Sequence, residues 1–348
     1  MIEIPKDIDW KDYIELCGSL EASDVHSAAY WRDDMIDLSR NGTSSWGDAL
    51  PWGKCEDFKL RPSEITLWCS MNGHRKSMIL GQIMLGISKH SRIAICSLEM
   101  TPAQTLMRMA KQACGASVGE MSEEFIHEFA DYADDNVLVF DALDTIDPTR
   151  VLGFTHYAAK VLGCKHIVID SLTKVGLRHD DTNAEKDFMN RLQHSAKTLG
   201  VHIHLVCHVR KPQSGDESWI PSKFDVRGAS SIVDLADNLV IVWKNKKREM
   251  LKEISKDHEL DDKQKEYLSK SFDQKLIVEK QRHSAWEGTF NFYFHNNSLQ
   301  LTSQEDKPVK FYFPKVVDTN ILEEETVDSY TGNQTHQGDM VCRQLENG

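Results

Sequence analysis

The chain has 348 residues and a net charge of −13, with 54 Asp and Glu against 41 Lys and Arg. That balance excludes a surface that is basic all over, though local basic loops can still line a nucleic-acid channel. The hydrophobic share of 40% is ordinary for a globular chain, and no apolar run approaches the ~20 residues of a membrane-spanning helix.

The first residues, Met1 to Asp9, are polar and acidic, unlike a targeting segment. Residues 1–60 mix helical stretches with polar turns and are expected to form an arm or linker. Within them, Asp24 to Arg40 has the pattern of an amphipathic helix, which Asn41-Gly42 breaks. From about residue 63, strand and helix patterns alternate. The candidate strands are 65–69, 93–97, 137–140, 166–170, 202–207, 239–243, 276–280 and 290–294. Several are near-continuous apolar runs, as strands buried on both faces should be. Helical patterns at 77–88, 102–114, 148–162 and 184–199 separate the early ones. The alternation predicts an α/β fold with a mostly parallel central sheet, and the closely spaced last two strands predict an antiparallel edge. A charged insert at about 246–274 is expected to be a helical hairpin. After Thr302 the composition turns polar, with an acidic run at Glu323 to Glu325, so 303–348 is expected to be an acidic tail without a core. The eight Cys include no C-x-x-C pair, and Cys69, Cys96, Cys164 and Cys207 lie in apolar runs. Buried free thiols and a cytoplasmic location are the expectation.

The chemistry concentrates in one loop. Ser70-Met71-Asn72-Gly73-His74-Arg75-Lys76-Ser77 lies between a predicted strand and a predicted helix. The phosphate-loop pattern there is G-x-x-x-x-G-K-[ST], with a helix N-terminus aimed at the anion. Lys76 and Ser77 fit it; Ser70 and Arg75 stand where the two glycines should be. Nucleotide hydrolysis also needs a metal-ordering acid, a base and a phosphate sensor. Asp170 and Glu99 follow apolar strand patterns and suit the first two roles; His208 suits the third. Singly, each has an ordinary alternative: a turn-capping Asp, a solvated Glu, a structural His. In this order after a near phosphate loop they argue together for ATP and Mg²⁺, with Ser77 and Asp170 as the metal's protein ligands. Ligands of open α/β sheets bind beyond the carboxyl ends of the strands, so these residues should converge.

Six blocks carry a family resemblance: Ile65 to Ser77, Ser97-Leu-Glu-Met100, Val168-Ile-Asp-Ser171, His208-Val-Arg-Lys211, Asp225-Val-Arg-Gly-Ala-Ser230 and Lys280-Gln-Arg282. Over roughly residues 60–302 the chain resembles the RecA-fold motor of DnaB-type replicative helicases, nearest to phage primase–helicases and Twinkle. The resemblance implies a RecA-like P-loop NTPase core, and a ring, usually a hexamer, that hydrolyses ATP and moves 5′ to 3′ on single-stranded DNA. It implies Walker A at Lys76 and Ser77, Walker B at Asp170, the catalytic glutamate at Glu99 and the γ-phosphate sensor at His208. Lys280 and Arg282 would serve a neighbour's nucleotide, Arg282 as arginine finger. Two loops would grip DNA, with Lys174 and Arg178 in one and Arg210, Lys211, Lys223, Arg227 and Gly228 in the other. Trp219 would either stack on a base or pack on its own protein. The segment before the motor is too short for a primase domain, so a separate primase or polymerase is an expected partner.

Arg75 is the main departure from the family pattern. A glycine there lets the backbone approach phosphate without a side chain in the way. An Arg must aim outward, clash, or touch the phosphate itself. Three readings stay open: ATP binding with altered geometry, binding with poor hydrolysis, and lost binding. The alternative function is therefore a RecA-fold module that assembles on single-stranded DNA with impaired hydrolysis.

Overall fold

The apolar run Ile65–Ser70 lies inside a nine-stranded sheet in the computed structural model, which describes residues 27–41, 46–115, 121–142, 145–177, 181–210, 212, 218–228, 230–284, 286–311 and 313. In chain order, a 3-10 turn at Ala28–Trp31 leads into α1 (Arg32–Asn41), and β1 (Asp48–Ala49) pairs with β2 (Lys59–Leu60). Then come β3 (Ile65–Ser70), α2 (Lys76–Ile87), β4 (Ile93–Ser97), α3 (Pro102–Cys114), α4 (Glu123–Asn136) and β5 (Val137–Asp141). They are followed by α5 (Pro148–Lys160), β6 (His166–Asp170), α6 (Thr182–Leu199), β7 (His202–His208), α7 (Ser230–Leu235) and β8 (Asn238–Lys244). A hairpin of α8 (Lys246–Asp257) and α9 (Asp262–Lys270) precedes β9 (Gln274–Gln281), β10 (Gly288–His295) and β11 (Gln300–Thr302).

The sheet order is β11-β10-β9-β8-β3-β7-β6-β4-β5. From β8 to β5 every pairing is parallel; β9, β10 and β11 add an antiparallel edge. Period-two alternation sends successive side chains to opposite faces. Leu67 and Cys69 pack with α5 and α6, whereas Trp68 packs with α2 and α3. Both faces are covered, which is why the central strands are mostly apolar, with the few buried polar side chains such as Thr66, His166, His202 and His204 hydrogen-bonded to one another or to the backbone. Register then sets the site. Ser70 lies opposite His208, and Ser97 opposite Asp170, so β3 and β7 end level, as do β4 and β6 about two residues earlier, all at one edge of the sheet. Local chemistry starts the helices nearby. Thr101 and Gln104 form a capping box ahead of Pro102, and Asp181 accepts from the Ala184 N–H.

The structure departs from the expected boundaries at both ends. Leu50, Trp52, Phe58 and Leu60 are buried in the core beside α2, so residues 46–60 belong to the body and not to an arm. Past Thr302, Gln300 binds both the N–H and the C=O of Val309, and the Phe311 N–H donates to Ala113. Phe311 and Phe313 pack against Tyr132. The folded body therefore runs past the expected start of the tail; its acidic run lies outside the described residues. The Asp24–Arg40 helix is described from Ala28 onward, with Tyr30, Trp31 and Met35 exposed. Cys55, Cys69, Cys96, Cys114, Cys164 and Cys207 are buried free thiols.

A chain of hydrogen bonds crosses the sheet. Trp68 Nε1–H donates to His204 Nδ1 (3.2 Å). That fixes the tautomer: His204 Nε2–H points to His166 Nδ1 (3.1 Å), and His166 Nε2–H to Asp48 (2.7 Å). Beside them, His202 bonds the Arg61 carbonyl and the Thr66 hydroxyl. All three imidazoles are almost fully buried.

Candidate active site

The loop from Ser70 to Lys76 joins β3 to α2 and opens onto a cleft of about 1300 Å³. Lys76, Ser77, Glu99, Asp170 and His208 all line it, from α2 and from the ends of β4, β6 and β7. Lys76 is almost fully buried. Its ammonium donates to the Ser70 carbonyl (3.3 Å), the Ser70 hydroxyl (3.0 Å) and His208 Nδ1 (3.2 Å). Burial lowers its pKa, and the charge of Asp170 pulls it back up. Because His208 Nδ1 accepts from Lys76, its Nε2 carries the proton, and it comes within 3.8 Å of Glu99. The Ser171 hydroxyl donates to the same Glu99 oxygen at 2.8 Å. His208 first, then Ser171, hold the Glu99 carboxyl down at about 2 against its burial. Asp170 behaves in the opposite way. Burial raises its pKa, while Ser77 and Lys76 oppose the rise.

Arg75 answers the question its sequence position raises. Its backbone takes the left-handed conformation, φ 71° and ψ 22°, that glycine would supply. Its side chain leaves the loop on the outer side. The guanidinium lies 3.7 Å from the centre of the Phe294 ring, 3.2 Å from Glu249 and 3.4 Å from the Gln274 amide oxygen. Arg75 lines the cleft, but its guanidinium is engaged by Phe294, Glu249 and Gln274, which fits the outward geometry. Its neighbour His74 is fully buried; its Nδ1 accepts from the Lys244 N–H at 3.1 Å. Burial and nearby lysines push His74 down to about 4. Its Nε2 has no partner among the described residues. Asn72 and Gly73 complete the lining of the loop.

Arg108 was not foreseen from the sequence. It projects from α3 into the cleft, and the charge of Asp170 supports its guanidinium against burial. Thr173, Thr182 and Lys246 also line the cleft. The signal for Arg108 was its place nine residues after Glu99 on a well-capped helix, but the face it presents depends on packing.

The strand ending in His208 passes directly into the second candidate DNA loop. Val209 bridges Val226, Arg210 N–H donates to Asp225, and Arg227 N–H donates to the His208 carbonyl. Arg210, Arg227 and Gly228 line the same cleft as the phosphate loop. Gly228 has φ 112°, and a Cβ there would lie 2.6 Å from Ile232. Lys223 is not with them. Its ammonium turns to the Glu279 carbonyl and Glu287. Lys174 ends a 3-10 turn whose carbonyl accepts from the Ile146 N–H. Arg178 and Lys211 lie outside the described residues. Trp219 packs on the core, and its carbonyl accepts from the Trp243 indole; that matches the packing alternative.

Lys280 and Arg282 do not enter the cleft. Lys280 lies opposite Leu239, near the start of β8, whereas Lys244 at its other end meets the phosphate loop. The five residue steps from Leu239 to Lys244, at ~3.3 Å each, put roughly 17 Å between them. Here Lys280 donates to the Val233 and Asp234 carbonyls, and Arg282 pairs with Asp237 at 3.0 Å and donates to the Asp234 carbonyl.

Residues 60–303 match the DnaB-like helicase C-terminal domain family. A DNA helicase/primase of Enterobacteria phage T3 is 24% identical over 251 residues, which cover 67% of this chain and 43% of that protein. The chain thus spans less than half of that relative. Among solved structures, one described as an ATPase domain superposes with a TM-score of 0.61 at 16% identity, covering 81% of this chain and 100% of that one. A DnaB-like replicative helicase, whose structure was described with its interactions with primase, superposes with a TM-score of 0.60 at 15% identity, covering 84% and 70%. At these identities the superpositions speak for the RecA-like fold.

Proposed function

Because the chain belongs to the DnaB-like helicase C-terminal domain family, we propose that it is the ATP-hydrolysing motor of a replicative DNA helicase, working as a homo-oligomeric ring around single-stranded DNA. The observation that carries this reading is the meeting of Lys76, Ser77, Glu99, Asp170 and His208 in one cleft at the carboxyl edge of the sheet. Each does a separate job. Lys76 exchanges its bonds to Ser70 for the phosphates of ATP. Glu99, held ionised at neutral pH with a carboxyl near 2, accepts a hydrogen bond from the attacking water and orients it. His208, whose Nε2 lies 3.8 Å from Glu99, would sense the γ-phosphate and pass its loss to the loop beyond Val209.

The donor set suits Mg²⁺. Ser77 and Asp170 offer hard oxygens side by side, and Arg108 stands by Asp170. Mg²⁺ ordinarily takes one or two protein oxygens and keeps several waters, so two such ligands would be enough to hold it. Bound there, Mg²⁺ would neutralise charge on the β- and γ-phosphates.

No arginine finger is available from the same chain's Arg282, which lies at the opposite edge. A neighbouring subunit supplies Lys280 and Arg282, so that transition-state charge is stabilised only where subunits touch. Arg210, Arg227 and Lys174 grip the DNA phosphates without reading sequence. Membership of the family supports extending hexameric assembly, 5′ to 3′ movement and a primase partner to this chain as part of the same proposal. The outward path of Arg75 supports a hydrolysing motor over an assembly module with impaired catalysis.

The experiment is ATP hydrolysis with and without single-stranded DNA, for wild type and for mixed Lys76→Ala and Arg282→Ala subunits. DNA-stimulated hydrolysis by wild type, lost in each variant and partly restored on mixing, is expected. Absence of hydrolysis in wild type sinks the motor; absence of restoration sinks the trans assignment.

A further inference from the structure

We propose that Arg75 is a positioning residue that holds the phosphate loop from outside, with Glu249, Gln274 and Phe294 as its anchors. The inference rests on the reading of the Ser70–Ser77 loop as the nucleotide site. A left-handed backbone is free for glycine and costly for any residue with a Cβ. Something must therefore hold Arg75 at φ 71°. The side chain supplies it.

Three anchors of different chemistry converge on the guanidinium: the Phe294 ring face at 3.7 Å, the Glu249 carboxylate at 3.2 Å and the Gln274 amide oxygen at 3.4 Å. A flat, delocalised cation suits this combination of stacking and in-plane hydrogen bonding; an ammonium does not. Gln274 is fully buried and works from both ends, because its amide nitrogen donates to the His74 carbonyl at 3.3 Å. One amide thus fixes two successive loop residues. The Lys244 N–H holds the His74 ring, and the Lys244 ammonium holds Glu249 at 2.6 Å. The loop is clamped to the end of β8, the first turn of α8, and the strands β9 and β10.

The consequence is that the α8–α9 insert serves the nucleotide machinery in two ways: Lys246 lines the cleft directly, and Glu249 acts through Arg75. Nucleotide affinity should depend on contacts that never touch the nucleotide. A loop released from the clamp spends less time in the competent shape, and apparent affinity falls by that fraction.

The test is the affinity for ADP with Mg²⁺, by calorimetry, together with KM and kcat for ATP. Arg75→Ala keeps the backbone cost and loses the anchors; affinity should drop about tenfold, with KM rising and kcat retained. Arg75→Gly loses the anchors but removes the cost, and should stay within about threefold of wild type. Glu249→Gln and Phe294→Leu, which keep Arg75 in place, should each weaken binding about threefold. Thermal unfolding of each variant checks that it is folded. If Arg75→Ala and Arg75→Gly bind alike, or if the anchor variants bind as wild type, the clamp is wrong. Lys76→Ala separates this from the underlying reading: undiminished ADP binding in that variant would overturn the nucleotide site itself.

Discussion

Lowering the pH from 7.5 to 5.5 should strip roughly 4 kcal/mol from the folding stability of this chain. The perturbation acts on three buried imidazoles. Burial first, then its histidine neighbour His166, pushes His202 down to about 3. His204 is driven well below its ordinary value of 6.5 by burial, and His74 to about 4. The geometry agrees for His204: Nδ1 already accepts from the Trp68 indole and cannot take a proton without breaking that bond. The folded form therefore keeps these rings neutral at pH 5.5, while the unfolded chain, at 6.5, protonates most of them. The unfolded state binds more protons, so stability falls as pH drops below 6.5 and continues falling toward the folded values. Each ring contributes about 1.4 kcal/mol at pH 5.5. Asp170 and Glu64, raised by burial, act with the opposite sign above their unfolded values and soften the loss. Against a typical total of about 5–15 kcal/mol the effect is large. Urea unfolding without nucleotide, followed by tryptophan fluorescence at pH 7.5, 6.5 and 5.5, measures it. A flat midpoint across that range refutes the reasoning. So does an unchanged pH slope in His202→Asn, which should lose about a third of it.

Other substitutions probe separate parts. Arg108→Ala removes the cation beside Asp170 and should lower kcat roughly a hundredfold in a steady-state assay while the protein stays folded. Gly228→Ala drives a Cβ to 2.6 Å from Ile232 at φ 112°, and should cost about 1–3 kcal/mol in urea unfolding. Arg248→Ala empties a guanidinium site shared with Asp273, Ser271 and Glu305; it should cost about 3 kcal/mol by the same assay, and Arg248→Met less because packing is partly kept.

The central strands were legible because they are covered on both faces, so β3, β4, β6 and β7 each read as a near-continuous apolar run ending in a polar residue. That is also why Asp170, Glu99 and His208 could be placed at strand ends and expected to meet. What pattern could not give was direction. Nothing in the letters says that Arg75 leaves the loop outward, because the choice is made by Glu249, Gln274 and Phe294, far along the chain. Lys223 and Arg227 read alike as basic loop residues, yet Glu279 and Glu287 hold the first away from the cleft. At the ends of the body, short pairings such as β1 with β2 carry too little pattern to count as strands. Phe311-Tyr-Phe313, aromatic in otherwise polar surroundings, is the one pattern past Thr302 that matches the packing found there, and composition alone does not reveal it.

Lys280 and Arg282 together occupy the carbonyls of Val233 and Asp234 at the far end of α7, a helix of six residues that starts two positions beyond Gly228. In mechanical terms it is a short lever with a glycine pivot at one end and a two-pronged latch at the other. A donor engaged on the latch is not available to another subunit's phosphate. An Arg282 that served a neighbouring subunit would first have to leave the Asp234 carbonyl and the Asp237 carboxylate, so the latch sets the cost of lending it.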